Sequence, residues 1–316
     1  MLVQEVIQEH AAIATGAEGA AEKFNAGKVI IEHVSNSGLE HPLFRLPTLF
    51  GINFSVTKHV LMLWLVAAFV FVVVTWTVRR YLKQARPLPT GFMNALEAVV
   101  EFVRDGIVQP NVGKKWVGTW TPLVLTLFVF IFCANAIGLI PVFETLGLLD
   151  RYVLHTAEDS FLKHVMHGGT TSTANYNVTA ALAMITFGAI IVAGSKAHGF
   201  FQHWKNLVPS GLAPVLYVIL IPIEVMGMFV RPFALTMRLA ANMTGGHIAI
   251  LAILSFVFLF TEMFGRAVAG IGVGVMVSVP LAVGISALEI IVVLVQAYVF
   301  ALLSAVFIGM AIHAHH

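Results

Sequence analysis

Two apolar stretches of about 45 residues each, 215–260 and 268–312, limit what this chain can fold into. At 1.5 Å per residue, each stretch would form a helix of about 70 Å, more than twice the roughly 30 Å hydrocarbon core of a bilayer. Each is therefore either a helical hairpin or one steeply tilted helix. A hairpin needs a polar turn halfway, and neither midpoint carries the proline, glycine or aspartate combinations that reverse a chain. We expect two long tilted helices, joined near residues 262–265.

The composition indicates that most of the chain is embedded in a membrane. Hydrophobic residues make up 59% of its 316 residues and charged residues 11%, against roughly 25% charged in soluble domains. Three more apolar runs have the length of a single crossing. The sequence therefore predicts an all-α integral membrane protein with a membrane domain over residues 58–312. The predicted spans are 59–78, 121–141, 178–194, 215–260 and 268–312.

Basic residues set the expected orientation. The first span ends in Arg79 and Arg80, and more basic residues follow in the next loop. By the positive-inside rule this loop is cytoplasmic, which places the polar segment 1–57 and the long loop 142–175 outside and the C-terminus inside. The N-terminus has no signal-peptide or transit-peptide pattern. A bacterial inner membrane is therefore favoured over an organelle for this multi-pass protein.

Residues 92–108 carry apolar side chains at helical spacing, with charged and amide side chains between them. A helix with one apolar and one polar face lies in the interface between hydrocarbon and water. We expect one amphipathic helix there, on the membrane surface.

Arg238 stands near the middle of the first long apolar stretch. An arginine at bilayer depth costs about 2.5–3.5 kcal/mol on insertion scales, because it cannot shed its proton. Snorkelling reaches only a turn or two, and both ends of the stretch lie about 20 residues away. The alternatives are a functional charge or an arginine that pairs with a neighbouring helix.

Polar residues around Arg238 fall on defined helix faces. Glu224, Arg231 and Arg238 are seven residues apart and Asn242 is four further on, spacings that keep them on one stripe of a helix. His247 follows Arg238 by nine residues and therefore points to the opposite side. Helix geometry thus separates an arginine face from a histidine face.

These residues carry a resemblance to subunit a of the F-type ATP synthase, covering roughly residues 90–311. No single motif is specific, but the set occurs in the family's order. The motifs are Asn135-x-x-Gly138-Leu-Ile-Pro141, Thr173-Ala-Asn175-Tyr-Asn177-Val-Thr179, Glu224, Arg231-Pro232, Arg238-Leu-x-x-Asn242-Met-x-Gly245-Gly246, Glu289 and Gln296-Ala-Tyr-Val-Phe.

The resemblance implies a mechanism and partners. In that family the two long helices lie beside a rotating ring of c subunits, and two separate aqueous half-channels reach the interface. Arg238 would be the essential arginine that stabilises an ionised ring carboxylate and blocks a direct leak. The implied partners are the c-ring, b-type peripheral stalk subunits and the rest of the complex, with protons as the coupling ion and sodium as the alternative.

His247 and Glu289 correspond by resemblance to a relay pair of the outer half-channel. Many family members have the acid and the histidine in exchanged positions, and the exchange favours a contacting pair. The alternative is two separately satisfied polar groups. Asn175 and Asn177 are candidates for the outer mouth of this channel, with helix capping as the alternative.

The other matched residues have an alternative structural interpretation. Asn242 and Gln296 are candidates for the ring interface, although amides also hydrogen-bond between membrane helices. Glu224 and Arg231 belong to the inner side, where they either serve conduction or form a structural pair.

Other classes of function have weaker support. His155, His164 and His167 lack metal-ligand spacing, so no metal or cofactor is predicted. No Walker motif is present, so the chain is not expected to bind ATP or act as an enzyme on its own. Its basic residues lie at helix ends, which excludes a nucleic-acid patch. An autonomous proton or sodium transporter, the alternative function, would predict an internal repeat, and a haem-binding quinone oxidoreductase subunit would need paired membrane histidines.

Overall fold

A computed structural model describes most of the predicted membrane domain. The described residues are 27, 48–49, 52–53, 55–83, 90–139, 171–205, 214–264 and 268–313. The predicted outer loop lies outside the described residues over 142–170, together with His155, His164 and His167. Most of the polar segment 1–57 also lies outside them.

The described part of the chain is nearly all helical. A minimal antiparallel hairpin, β1 (Thr48–Leu49) and β2 (Ile52–Asn53), precedes the helices. The helices are α1 (Lys58–Leu82), α2 (Phe92–Glu101), α3 (Gln109–Val112), α4 (Val117–Leu139), α5 (Tyr176–His198), α6 (Phe200–Lys205), α7 (Pro214–Phe264) and α8 (Val268–Ile312).

Five of these helices, α1, α4, α5, α7 and α8, are long and apolar enough to cross a membrane. This count, over the described residues, confirms the predicted all-α membrane fold. Helix α7 runs for 51 residues and α8 for 45 without interruption. Pro222, Pro232 and Pro280 lie inside them, so these prolines do not reverse the chain. The hairpin alternative is therefore excluded for both stretches.

The amphipathic segment differs from the expected surface helix. Helix α2 continues through a π-helical turn, Phe102–Val108, into α3, and α2 alone contains no buried residue. Val103, Ile107 and Val112 are fully buried in the same apolar cluster as residues of α4 and α8. Protein thus covers the second half of the apolar stripe, and only the first half has the exposure expected of a helix on a membrane surface.

A glycine permits one close approach in this cluster. A Cβ atom at Gly309 of α8 would overlap the backbone carbonyl of Asn111 in α3. The missing side chain lets the end of α3 lie directly against α8, which accounts for the complete burial of Val112.

The chain divides into two compact units. One contains Met1–Met62, Gly138–Thr171 and Thr244–Glu289, and the other contains Leu63–Ile137, Ser172–Met243 and Ile290–His316. In the second unit, polar groups connect α5 to α8. The hydroxyls of Thr186 and Ser304 lie 3.2 Å apart, and His198 Nε2 lies 2.9 Å from the carbonyl oxygen of Ile312.

Helix α6 folds back against the end of α5 through a glycine turn. Gly199 has φ +90°, a conformation that favours glycine, and Gly194 leaves room for the ring of His203, which would overlap any Cβ there. His203 is buried and its Nε2 has no hydrogen-bond partner among the described residues. Burial, followed by the nearby His198, lowers the pKa of His203.

Acid should weaken the docking of α6. The folded pKa of His203 lies below its unfolded value of about 6.5, so protonation favours the undocked state as pH falls from 6.5 toward the folded pKa. Within this window the opening equilibrium should rise by up to about tenfold per pH unit. Hydrogen exchange of the amides of residues 200–205, corrected for intrinsic rates at pH 7.5 and 5.5, measures it. His203→Gln should abolish the extra acid-dependent opening; the same pH profile in both proteins would contradict the prediction.

Candidate functional site

Arg238 projects from the exposed face of α7. Leu235 and Leu239, on an adjoining stripe of the helix, are buried at 2% and 0% exposure, which fixes the rotation of the helix. Arg238 itself is exposed, and it has no ion-pair or hydrogen-bonding partner among the described residues. Arginines within membrane spans normally face a water-filled cavity or a partner charge. Among the described residues, this charge therefore stands on an exposed helix face without a counter-charge.

Asn242 shares the exposed face with Arg238, one helical turn further on. Its Nδ2 donates a hydrogen bond of 3.3 Å to Oε1 of Gln296 in α8. Gln296 is 4% exposed, so it supports the exposed amide from the protein side. The structure thus brings together the two amides expected at the ring interface. The contact between them is an interhelical hydrogen bond, which was the alternative interpretation of both residues.

Glu224 and Arg231 form an ion pair with an Nη2–Oε1 distance of 3.7 Å. The Arg231 guanidinium also lies 5.6 Å from the centre of the Phe307 ring, close enough for a cation–π interaction. These contacts lie within α7 and between α7 and α8, and the choice between a structural pair and a role in conduction stays a prediction.

His247 contacts a residue that the sequence reasoning missed. Its Nε2 lies 2.7 Å from Oγ1 of Thr171, a side chain that is 1% exposed. Thr171 is held in place at Gly138, where a Cβ atom would overlap its side chain. The only sequence signal for Thr171 was its position just before the recognised Thr173–Thr179 motif, and that position does not distinguish it from its hydroxyl-bearing neighbours.

Glu289 lies against the backbone of Gly246, the residue before His247. A Cβ atom at Gly246 would be 2.6 Å from Oε1 of Glu289. The glutamate is 4% exposed, and neither carboxylate oxygen has a hydrogen-bond partner within the described part of the chain. The two residues of the predicted relay thus make no direct hydrogen bond, and the relay stays a prediction. A buried carboxylate without a hydrogen-bond partner is costly and rare in proteins.

Asn175 caps helix α5. Its Oδ1 accepts a hydrogen bond of 2.8 Å from the backbone N–H of Asn177, whose side chain is exposed. Two residues earlier, the Thr173 hydroxyl donates to Oδ1 of the fully buried Asn135 at 2.5 Å. Capping is thus observed for Asn175, while the expected role of both asparagines at a channel mouth stays a prediction.

The described residues contain no group of three or more histidine, cysteine, aspartate or glutamate side chains placed to hold a metal ion.

Comparison with known proteins confirms the resemblance. The family described as ATP synthase A chain matches residues 60–309. The chain is 36% identical to ATP synthase subunit a of Pelodictyon phaeoclathratiforme, with 95% of this chain and 79% of the relative covered. It is 38% identical to ATP synthase subunit a 2 of Chlorobium luteolum (92% and 77%) and 34% identical to ATP synthase subunit a of Anaeromyxobacter dehalogenans (98% and 77%). These matches do not favour an autonomous transporter. The chain belongs to the ATP synthase A chain family, as a subunit a of the F-type ATP synthase.

Proposed function

We propose that Arg238 is the fixed charge through which this proton-translocating stator subunit acts on a ring of c subunits. The observation that supports the proposal is its exposure, without a partner among the described residues, within a 51-residue apolar helix. A carboxylate carried past Arg238 by a c subunit would compensate this charge. The guanidinium would stabilise the ionised carboxylate and so favour release of its proton.

The same charge would keep the two half-channels apart. A proton crossing directly between them would have to pass a permanent cation in a medium of low dielectric constant, where like charges repel strongly. Each proton that instead travels with the ring carries a charge through the membrane potential, worth about 2.3 kcal/mol per 100 mV. Several such steps supply the free energy for ATP synthesis by other subunits.

Asn242 and Gln296 would complete the ring-facing surface. Their hydrogen bond places an uncharged polar group one turn from Arg238. An amide can donate to a carboxylate or accept from a protonated one without competing for the charge. The pair therefore suits a surface that meets both protonation states of the ring carboxylate.

Thr171, His247 and Glu289 form the proposed proton path of the outer half-channel, with Asn175 and Asn177 at its mouth. A threonine hydroxyl both donates and accepts, so it can exchange roles with the His247 ring at 2.7 Å. The carboxylate of Glu289, which has no hydrogen-bond partner among the described residues, lies against Gly246, the neighbour of His247 in α7. A bridging water would connect the Glu289 carboxylate to the His247 imidazole.

Glu224 and Arg231 would stabilise the inner end of α7. Their ion pair lies within α7, and the contact of Arg231 with Phe307 joins α7 to α8. We therefore propose that they anchor the helix rather than take part in conduction.

The chain is a non-catalytic membrane-sector component of the ATP synthase complex. We propose that its direct partners are the c-ring and b-type stalk subunits. We further propose a bacterial inner-membrane orientation with the N-terminus outside and the C-terminus in the cytoplasm, supported by Arg79 and Arg80 at the end of α1.

Replacing Arg238 tests the central proposal. Arg238→Ala should lower ATP-driven acidification of inverted vesicles by at least about tenfold, since losing 1.4 kcal/mol of charge stabilisation already gives that factor. It should also raise the passive proton leak. Arg238→Lys should be a poor substitute, because a desolvated lysine readily loses its proton. Arg104→Ala, which removes an exposed arginine paired with Asp105, is the matched control and should pump normally. Normal pumping by Arg238→Ala would refute the mechanism.

A single methyl group tests the position of the Glu289 carboxylate. Gly246→Ala would place a Cβ 2.6 Å from Oε1, so the carboxylate must move, and proton transport should fall several-fold. Gly227→Ala, in the same helix, meets nothing within 4 Å and controls for the higher helix propensity of alanine. Proton flux through the assembled enzyme measures both. Equal flux in the two variants would show that the carboxylate position is unimportant.

The Thr171 hydroxyl should be needed for transport through the outer path. Thr171→Val keeps the shape but removes the partner of His247 Nε2, so pumping should fall and its pH profile should shift. Thr171→Ser should restore both. Thr126→Val removes a hydroxyl that bonds only within its own helix and should have no effect. An unshifted pH profile in Thr171→Val would assign the hydrogen bond a purely structural role.

A further inference from the structure

A groove lies along the last turns of α1, and none of the proposed proton-path residues lines it. It is a shallow cavity of about 460 Å³. Its lining includes Val72, Thr75, Trp76, Arg79, Arg80 and Lys83. Their spacings of three and four residues place them on one stripe of the helix, with the apolar side chains in one half and all three cations in the other.

The basic half of the groove carries positive charge that no described carboxylate neutralises. Neither Arg79, Arg80 nor Lys83 has a carboxylate partner among the described residues, and all three are exposed. The Arg80 guanidinium lies 5.4 Å from the centre of the Trp76 ring, which holds it over the groove. Two arginines and a lysine within five residues form a donor set suited to phosphate oxygens.

The apolar half fits hydrocarbon. Val72 and Trp76 are 61% and 62% exposed in a helix of membrane-spanning length, so lipid is their expected surrounding. From Arg80 back to Val72 the helix rises about 12 Å, close to the depth of one leaflet's hydrocarbon. Trp76 lies between the two halves, where tryptophan is favoured at membrane interfaces.

We propose that this groove is a binding site for an anionic phospholipid of the leaflet at the Arg79 end of α1. The phosphate would lie between Arg79, Arg80 and Lys83, and one acyl chain would follow Trp76, Thr75 and Val72. Three cations favour a headgroup with two phosphates over one with a single phosphate, as basic pockets on the cytoplasmic side of membrane proteins do. The proposal is independent of the proton path, because it involves none of its residues.

Photolabelling of the complete enzyme in lipid bilayers tests the proposal. The probe is phosphatidylglycerol with a photoreactive group on one acyl chain, and the labelled residues are mapped by mass spectrometry. Labelling should occur within Val72–Trp76. Unlabelled phosphatidylglycerol should compete, and cardiolipin, which has two phosphates, should compete at lower concentration. Phosphatidylcholine should not compete. Equal competition by phosphatidylcholine would overturn the proposal, and competition by inorganic phosphate would replace the lipid with a soluble anion.

Paired substitutions supply the matched comparison. Arg79→Gln with Arg80→Gln should reduce labelling by about 25-fold, from the typical contribution of each basic residue near an anionic surface. Lys114→Gln with Lys115→Gln removes the same charge from another loop and should leave labelling unchanged. Equal labelling in all three proteins would refute the site. If the arginine variant failed to insert, lipid competition on the unmodified enzyme would still decide the question.

Discussion

The cost of an arginine charge in hydrocarbon is the constraint on which the rest of this structure depends. The buried residues Leu235, Leu239 and Met243 fix one side of α7 against protein, and Arg238 consequently faces outward. A helix with lipid all around this arginine would be unfavourable by several kcal/mol. The exposed charge is thus stable only where water or a polar surface meets it, and the proposed ring partner would supply that surface.

Glycines help to position the buried polar groups, because they leave space where a side chain would otherwise stand. Gly246 leaves space for the carboxylate of Glu289, and Gly138 leaves space for Thr171, which in turn contacts His247. At each of these positions even an alanine would collide with the polar side chain or force it to move. Glycine in a membrane helix usually serves helix–helix packing. Here the same property lets the Glu289 carboxylate and the Thr171 hydroxyl lie close to a helix backbone.

The sequence predicted the features that follow from bilayer thickness and charge cost. Unbroken apolar runs predicted five spans, including the uninterrupted α7 and α8, and Arg238 was identifiable because few charges occur near it. Thr171 was not predictable, since its role depends on a contact 76 residues away in sequence. The burial of Val103 and Ile107 was also missed, because an amphipathic pattern does not distinguish a lipid surface from a protein surface.

Arginines at two depths illustrate how location selects the partner. Arg79 and Arg80 lie at the end of α1, where phosphate groups and water are at hand, so a static ligand can neutralise them. Arg238 lies far from either end of α7, where no headgroup reaches. In the proposed mechanism its counter-charge therefore comes from the ring of c subunits. If that charge were fixed in the same chain, the pair would be a structural salt bridge with no motion to drive. In the proposed mechanism a protonated carboxyl group arrives, releases its proton to become the counter-charge of Arg238, and is protonated again as it leaves.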